Sequence, residues 1–337
     1  MKQLWIVLVT VLFISGCASE PEPESFDSVL YDGRPIDTLT SELAPLTEKE
    51  AITRGDLALS SGNTDLALYE YIRSLEFADA KYQDQSLYTI GRIHYSRGNF
   101  ALSEKAYLMS VEYNPNNAKV LEHLGAMYTK QGNIEQGRSY FFRSVNADQV
   151  RLSNTDVFDG DELTVAGIDD LQVDNSSPAL AYMGLGVLYD VEANHEIAKA
   201  FLHKALKIKP GSVKALINLG YSYYMNGEYN DAQRFTLAAL EKSPNNENAL
   251  NNLALIYLGK GEIKRAINVF MRHMDAAEAL NNVGYFLILQ GKPDKAIPYL
   301  EQAIDKKPSY YKVANENLER AVAEVRANKP KDTEPES

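Results

Sequence analysis

The chain has 337 residues, of which 46 are Asp or Glu and 34 are Lys or Arg, so its formal net charge at pH 7 is −12. An acidic chain of this kind is a poor partner for nucleic acid or for an anionic lipid surface. Its single cysteine excludes an internal disulfide, and its length allows one extended domain or two compact ones.

The first residues are typical of an export signal. They read MKQLWIVLVTVLFISGC, in which Lys2 supplies a positive charge and Leu4–Ile14 is apolar apart from Thr10. A helix needs about 20 apolar residues to span a bilayer, so this run is too short for a transmembrane segment. We therefore interpret residues 1–16 as a signal peptide that is removed from the mature protein.

The end of this segment, Ile14-Ser15-Gly16-Cys17, resembles the lipobox of bacterial lipoproteins. The resemblance implies that acyl chains such as palmitate are attached at Cys17. Two or three such chains, at about 0.8 kcal/mol per buried CH₂, would hold the protein on a membrane. Ala18 follows, where an inner-membrane lipoprotein usually has aspartate, so the resemblance implies the periplasmic face of a Gram-negative outer membrane. The alternative is an ordinary signal peptide with a chance cysteine.

Two segments lack any sustained apolar period. Residues 17–47 are rich in Glu, Pro, Asp and Ser, and residues 328–337 are similar. Such segments cannot bury enough apolar surface to offset their ordering entropy. The sequence therefore predicts a disordered acidic tether after Cys17 and a disordered C-terminal tail.

Between these segments the sequence repeats. A small residue, which in six of seven cases follows a large apolar one, recurs at intervals of 36, 34, 61, 34, 34 and 30 residues. Its positions are Gly55, Gly91, Gly125, Gly186, Gly220, Ala254 and Gly284. The period, with Tyr, Ala and Pro at fixed offsets, resembles the tetratricopeptide repeat (TPR), a helix–turn–helix unit. The resemblance implies an all-α fold, a right-handed superhelical solenoid of about seven repeats with glycine in the turns between helices.

The intervals also predict the organisation of the array. We expect three repeats over residues 48–145, an acidic insertion loop over 146–178, and four repeats with a capping helix over 179–327. The unit at Ala254 is four residues short, which predicts a shortened second helix. The capping helix is expected over Tyr310–Ala327. Its predicted apolar face contains Val313, Leu318, Val322 and Val325.

No catalytic or metal-binding pattern stands out. The segment Asp156–Glu162 superficially resembles a calcium loop, but it lacks the alternating acidic positions and the terminal bidentate Glu. The five histidines show no metal-ligand spacing, and there is no phosphate-binding loop or nucleophile elbow. The sequence therefore predicts no enzyme, no metal and no cofactor. The alternative, an enzyme acting on the cell wall, would need a carboxylate or histidine cluster in the insertion.

In TPR proteins the first helix of each unit lines a binding groove, and the resemblance implies a peptide-binding groove here. Its predicted residues are Asn218, Tyr221, Tyr224, Asn251, Asn252, Leu255, Asn281, Asn282, Tyr285 and Ile288. Asn amides can pair with a peptide backbone, and Tyr is a frequent interface anchor. The alternative is that these Asn side chains bond to the adjacent helix. A second contact surface is predicted at Tyr88, Arg92, Tyr95, Lys119, Glu122 and His123.

The lipobox, the acidic tether and the repeats together resemble the TadD family, the TPR lipoproteins of tight-adherence (Tad/Flp) pilus systems. The resemblance is best over Ala279–Ala321. It extends to the pilotins of type IV pili, and it implies a protein partner such as a secretin or another pilus or secretion component. Two alternatives within the binding proteins are a scaffold for peptidoglycan enzymes and a factor in outer-membrane protein assembly.

Overall fold

The computed structural model describes residues 29–32, 43–154, 163–307 and 309–328. Over those ranges the chain forms sixteen helices and no strand, which confirms the predicted all-α fold. The signal peptide, Cys17 and the centre of the acidic insertion lie outside the described residues, as do most of the tether and of the C-terminal tail.

The helices follow one another through short turns. They are α1 (Glu48–Ser60), α2 (Thr64–Ser74), α3 (Gln83–Ser96), α4 (Phe100–Tyr113), α5 (Ala118–Lys130), α6 (Ile134–Arg151), α7 (Val165–Asp170), α8 (Ala179–Val191), α9 (His195–Ile208), α10 (Val213–Met225), α11 (Tyr229–Lys242), α12 (Glu247–Gly259), α13 (Ile263–Phe270), α14 (Ala276–Leu289), α15 (Pro293–Asp305) and α16 (Lys312–Ala327).

Contacts within the chain divide it into two compact units. Unit 1 ends at Ala106 and unit 2 begins at Tyr107. The division therefore falls inside α4, whereas the sequence placed it at the acidic insertion. In unit 1, α1 packs against α2 and α2 against α3; in unit 2, the helices of each repeat pack as pairs, from α5 with α6 to α14 with α15.

Glycine allows the two helices of a repeat to approach closely. A Cβ atom added at Gly125 would lie 2.5 Å from the ring of Phe141, and one at Gly284 would lie 2.5 Å from Leu300. Both distances are too short for a real contact, so the backbone itself forms the surface against which the second helix packs. Both glycines stand at the small position that recurs through the repeats.

The turns between paired helices also require glycine. Gly132 has φ 88° and Gly227 has φ 80°, and both values lie in the left-handed region that side chains with a Cβ atom disfavour. The predicted turn glycines are confirmed, since each ends the first helix of its repeat and turns the chain into the second.

The core of unit 2 follows the helix pairs as two large apolar clusters and a small third one at the C-terminal helices. Phe141, Tyr182 and Phe201 are buried in the first cluster. Leu253 and Phe270 are buried in the second, which continues to the C-terminal helices. Each repeat thus contributes to an apolar interior shared with its neighbours, as expected for stacked repeats.

Helix α16 is the predicted capping helix. It packs against α15 and α14 through the buried residues Ala314 and Ala321. Leu318 packs against the same core. Val313, however, is 51% exposed, so its placement on the apolar face is wrong. The alanines allow close packing, and their register turns Val313 towards solvent.

The shortened second helix in the repeat at Ala254 is also confirmed. Helix α13 has 8 residues, whereas α11 and α9 each have 14. The chain then turns and enters α14, whose N-terminus has a capping box formed by Asp275 and Glu278. The repeat is therefore shortened at the end of α13, and α14, the first helix of the next repeat, keeps its full length.

The acidic insertion contains more regular structure than the predicted loop. Helix α6 continues to Arg151, which lies inside the range 146–178 assigned to the loop, and α7 forms over Val165–Asp170. The backbone of α6 therefore extends past the expected end of the third repeat. Asp148, counted among the loop acids, is fully buried in this helix.

Polar contacts hold the described part of the insertion on unit 2. The Gln149 amide donates to the Gln172 carbonyl at 2.8 Å, and the Gln172 N–H donates back to the Gln149 side chain at 3.1 Å. Lys204 of α9 donates to the Asp169 and Leu171 carbonyls, both at 2.7 Å. Residues 163–178 are thus a fixed brace and not a solvated loop.

Part of the predicted tether is folded onto unit 1. Leu30 is 1% exposed, and its carbonyl accepts a hydrogen bond from Nε2 of His94 at 2.9 Å. Arg97 bridges Asp32 at 2.6 Å and Asp65 at 2.5 Å. The disorder predicted for residues 17–47 is therefore wrong at residues 29–32, which we call the strap.

Candidate functional site

The first helices of the four repeats in unit 2 form one continuous surface. Each of α8, α10 and α12 contacts the first helix of the next repeat. Two equivalent positions on these helices, separated by one turn, carry large apolar side chains that reach the surface, except that α12 has Gly259 at the second position. These residues are Val187 and Val191 on α8, Tyr221 and Met225 on α10, Leu255 on α12, and Tyr285 and Leu289 on α14. We call this set the apolar stripe.

Several members of the apolar stripe are strongly exposed. Val191 is 80% exposed, Leu289 52% and Met225 46%. Tyr221 and Tyr285 are exposed by 39% and 36%. A contiguous row of this kind is unusual on a protein surface and marks an interaction site.

Two rows of positions make up the stripe, and the first-helix residues between them include one carboxylate. It is Asp190 on α8, at the place where the other first helices have Tyr224, Leu258 and Ile288. Asp190 is paired with Nδ1 of His195 at 2.8 Å and accepts a hydrogen bond from Ser222 at 2.8 Å. Burial raises the pKa of Asp190. On a chain of net charge −12, this stripe is an uncharged patch.

A pocket of about 460 Å³ opens between α8 and α10 within this surface. Val187 and Val191 contribute from α8, and Tyr221 and Met225 from α10. The polar lining is Asn218, Asp190 and His195, and Ala193 completes it. The pocket therefore combines apolar walls with a small number of polar groups, as ligand pockets commonly do.

The predicted asparagines do not all face a ligand. Four of them make hydrogen bonds inside the protein, as the alternative interpretation anticipated. Asn252 donates to the Ile217 carbonyl at 3.3 Å, and Asn282 donates to the Met274 sulfur at 3.3 Å. Asn251 pairs with His273 at 2.9 Å. Asn281 accepts a hydrogen bond from Asn317 at 2.9 Å. Asn252 and Asn282 thus bond to the preceding repeat, Asn281 to the capping helix, and Asn251 to the end of its own repeat.

Asn218 differs from the other four. It lies at the same place on α10 as Asn252 on α12. Its side-chain amide makes no hydrogen bond within the described part of the chain, and it lines the pocket. The remaining predicted groove residues also divide. Tyr221 and Tyr285 are exposed, Tyr224 and Leu255 are half-buried, and Ile288 is 3% exposed in the core.

Four members of the stripe were missed by the sequence prediction. Val187, Val191, Met225 and Leu289 are exposed beside the predicted residues. Val187 stands one residue after the small residue of its repeat, as Tyr221 and Tyr285 do, and the other three stand one helical turn later. That spacing could have identified them, because residues four apart share a helix face.

The second predicted contact surface contains a structural residue. Glu122 on α5 accepts a hydrogen bond from the Leu180 N–H, at the start of α8, at 3.0 Å. Burial raises its pKa to about 7. Pro178, the residue before α8, offers no side-chain cap, so Glu122 serves as the cap for that helix. In unit 1, Arg92 lies over the ring of Tyr88, 5.7 Å from its centroid.

Two further observations concern the described residues. Among them, no group of three or more His, Cys, Asp or Glu side chains is arranged to hold a metal ion. Within the same ranges, no helix combines the length and the hydrophobicity that crossing a bilayer requires.

Family models of the tetratricopeptide repeat match much of the chain. They cover residues 88–149, 179–212, 213–246, 235–268 and 277–310, which together exceed half of its length. The matches begin at residue 88, after the first predicted unit. No curated protein sequence matches the chain.

Solved structures with similar folds have low sequence identity to this chain. A tetratricopeptide repeat protein from Parabacteroides merdae is 18% identical, with 82% of this chain and 98% of that chain covered and a TM-score of 0.48. PilF of Pseudomonas aeruginosa is 14% identical, with 82% and 97% covered and a TM-score of 0.45. PilW, described as a type IV pilus biogenesis factor, is 12% identical, with 83% and 100% covered and a TM-score of 0.46.

Proposed function

Because this chain belongs to the tetratricopeptide-repeat family, we propose that it is a protein-interaction scaffold whose apolar stripe binds a segment of a partner protein. The observation that carries the proposal is the exposed row of apolar side chains on the first helices of unit 2. Stacked repeats present such surfaces to extended or helical segments of other proteins. The proposed role is binding, and no catalytic step is assigned.

We further propose that the protein is a lipoprotein of the outer membrane that serves the assembly of a pilus or secretion machine of the Tad or type IV kind. Two sequence features support this. Ile14–Cys17 resembles a lipobox, and Ala279–Ala321 resembles the TadD family. In this proposal Cys17 carries the lipid on the periplasmic face, and the partner is a secretin or another component of the machine.

The alternative proposal keeps the fold and the anchor but changes the partner. A TPR lipoprotein can also hold peptidoglycan enzymes together or assist outer-membrane protein assembly. The apolar stripe suits either partner. The identity of the bound protein therefore decides between the proposals.

The test is a pull-down from crosslinked membranes of the native organism. It compares the wild-type chain with Cys17→Ser and with the double variant Val191→Asp/Leu289→Asp. We expect a secretin or other pilus component with the wild type, loss of that component with the double variant, and mislocalisation with Cys17→Ser. Recovery of peptidoglycan enzymes would support the alternative. Equal recovery by the double variant would exclude the stripe as the binding surface.

A further inference from the structure

We propose that the pocket between α8 and α10 is the anchor point of the stripe, and that it takes one large uncharged apolar side chain from an extended segment of the partner protein. This inference rests on the proposed function. It adds the chemistry of the partner and the place where its principal side chain binds. The shape, the hydrogen bonding and the charge of the pocket all point to this assignment.

The shape of the pocket comes from a substitution between repeats. In the cleft between α10 and α12, the rings of Tyr224 and Tyr229 lie 5.9 Å apart. The ring of Tyr229 also covers Gly259, where an added Cβ atom would lie 2.6 Å from it. These two rings fill that cleft.

The cleft between α8 and α10 has different residues at the same two places. Asp190 and His195 stand there, each 34 residues before its counterpart, and they bond to each other at 2.8 Å. Their paired side chains leave the cleft open, and the result is the pocket of about 460 Å³. Of these two clefts between first helices, the one between α8 and α10 is therefore open to a guest side chain.

Hydrogen bonding points to the same cleft. The amide of Asn252 is occupied by a carbonyl of the preceding repeat, and the amide of Asn282 by a methionine sulfur. Asn218 makes no such bond within the described ranges, and it faces the pocket. Its donor and acceptor groups are available to the backbone of an extended segment.

Charge defines which segment fits. The carboxylate of Asp190 is already satisfied by His195 and Ser222, so the pocket offers no free charge to a guest. A charged side chain would lose its hydration there without compensation. The C-terminal residues 329–337, KPKDTEPES, are charged and lack a large apolar side chain, so this tail does not fit. The guest is therefore an uncharged apolar segment, which the proposed function assigns to the partner protein.

The experiment uses the full chain in detergent and a phage library of random dodecapeptides. A selected peptide is then titrated by fluorescence anisotropy against the wild type and two variants, Val191→Asp and Leu289→Asp. Both variants add a carboxylate at the same position of a repeat and at an exposed residue, so circular dichroism should show the same fold. Only Val191 lines the pocket.

We expect the selected peptides to share one large apolar residue with uncharged neighbours. Val191→Asp should weaken binding about tenfold or more, while Leu289→Asp should weaken it less than about threefold. Replacing the shared apolar residue of the peptide with Asp should abolish binding.

Four results would overturn the inference. Equal weakening by the two variants would leave the stripe as the binding surface but remove the pocket as its anchor. A library that yields only charged peptides, or none, would contradict the proposed chemistry. If sedimentation shows that the chain alone forms a dimer that Val191→Asp dissociates, the occupant is a second copy. Binding unaffected by either variant would reject the proposed function as well.

Discussion

Ala193 holds a backbone conformation that its side chain disfavours. It lies in the turn between α8 and α9 with φ 58°, where the equivalent residue of the next repeat is Gly227 with φ 80°. The left-handed region costs a residue with a Cβ atom about 1–2 kcal/mol. We expect Ala193→Gly to raise the free energy of unfolding by about 1 kcal/mol in urea titrations. The matched variant Gly227→Ala should lower it by a similar amount, and a destabilised Ala193→Gly would contradict this account.

Glu122 should make stability depend on pH. Burial raises its pKa from 4.5 to about 7 in the folded chain, so between these values the folded state binds a proton that the unfolded state has lost. The contribution of Glu122 to the free energy of unfolding is therefore fully present below pH 4.5, and it is lost as the pH rises through 7. Glu122→Gln keeps an acceptor for the Leu180 N–H but does not titrate.

We therefore expect Glu122→Gln to match the wild type near pH 5 and to be more stable at pH 8, by at most about 3 kcal/mol. Urea unfolding at pH 5, 6, 7 and 8 measures the difference. Glu301→Gln, at an exposed site on α15, is the control and should follow the wild type. A constant offset between Glu122→Gln and the wild type at all four values would show that Glu122 is not buried as described.

At the scale of helices, Lys204 fixes the short helix α7. Its ammonium group donates to two carbonyls at the end of that helix, and the residue is 5% exposed. Lys204→Met leaves these carbonyls without a donor, which should cost about 2 kcal/mol or more. Hydrogen exchange of peptides covering residues 165–172 should become faster. Lys207→Met, at an exposed position of α9, the helix that carries Lys204, should leave the exchange unchanged, and equal effects would contradict the brace.

The repeat pattern was a good guide to the helices because it depends on local sterics. Each glycine is required for one steric reason, which is either a close contact between helices or a left-handed turn. The spacing of these residues therefore predicted the helix pairs, the short α13 and the capping helix. The brace could not be predicted, since it depends on contacts such as Lys204 with Asp169, which lie 35 residues apart. The pocket was missed because it arises where Asp190 and His195 stand in place of the tyrosines of the next repeat, Tyr224 and Tyr229. This replacement is recognised only when adjacent repeats are superposed.

At the scale of the whole chain, the strap shortens the tether. Leu30 is buried on unit 1, so only residues 18–29 separate it from Cys17. Twelve residues span at most about 43 Å. If Cys17 carries the lipid, unit 1 is therefore held within this distance of the membrane.

Leu30→Asp should release the strap. Placing a carboxylate at a fully buried apolar site should lower the free energy of unfolding by about 3 kcal/mol, and hydrogen exchange of the strap should rise. Val29→Asp is the control because Val29 is 60% exposed. If both variants exchange as slowly as the wild type, the strap does not depend on Leu30.

The most direct test of the central claim is photocrosslinking in living cells. A photoreactive phenylalanine analogue is placed at Val191 or Leu289 on the stripe, or at Leu237, an exposed apolar residue of the second helix α11. If the stripe binds a partner, the first two positions should yield the same crosslinked protein, identified by mass spectrometry, and Leu237 should not. Crosslinks from Leu237 alone, or none from the stripe, would contradict the claim that this surface binds a partner protein.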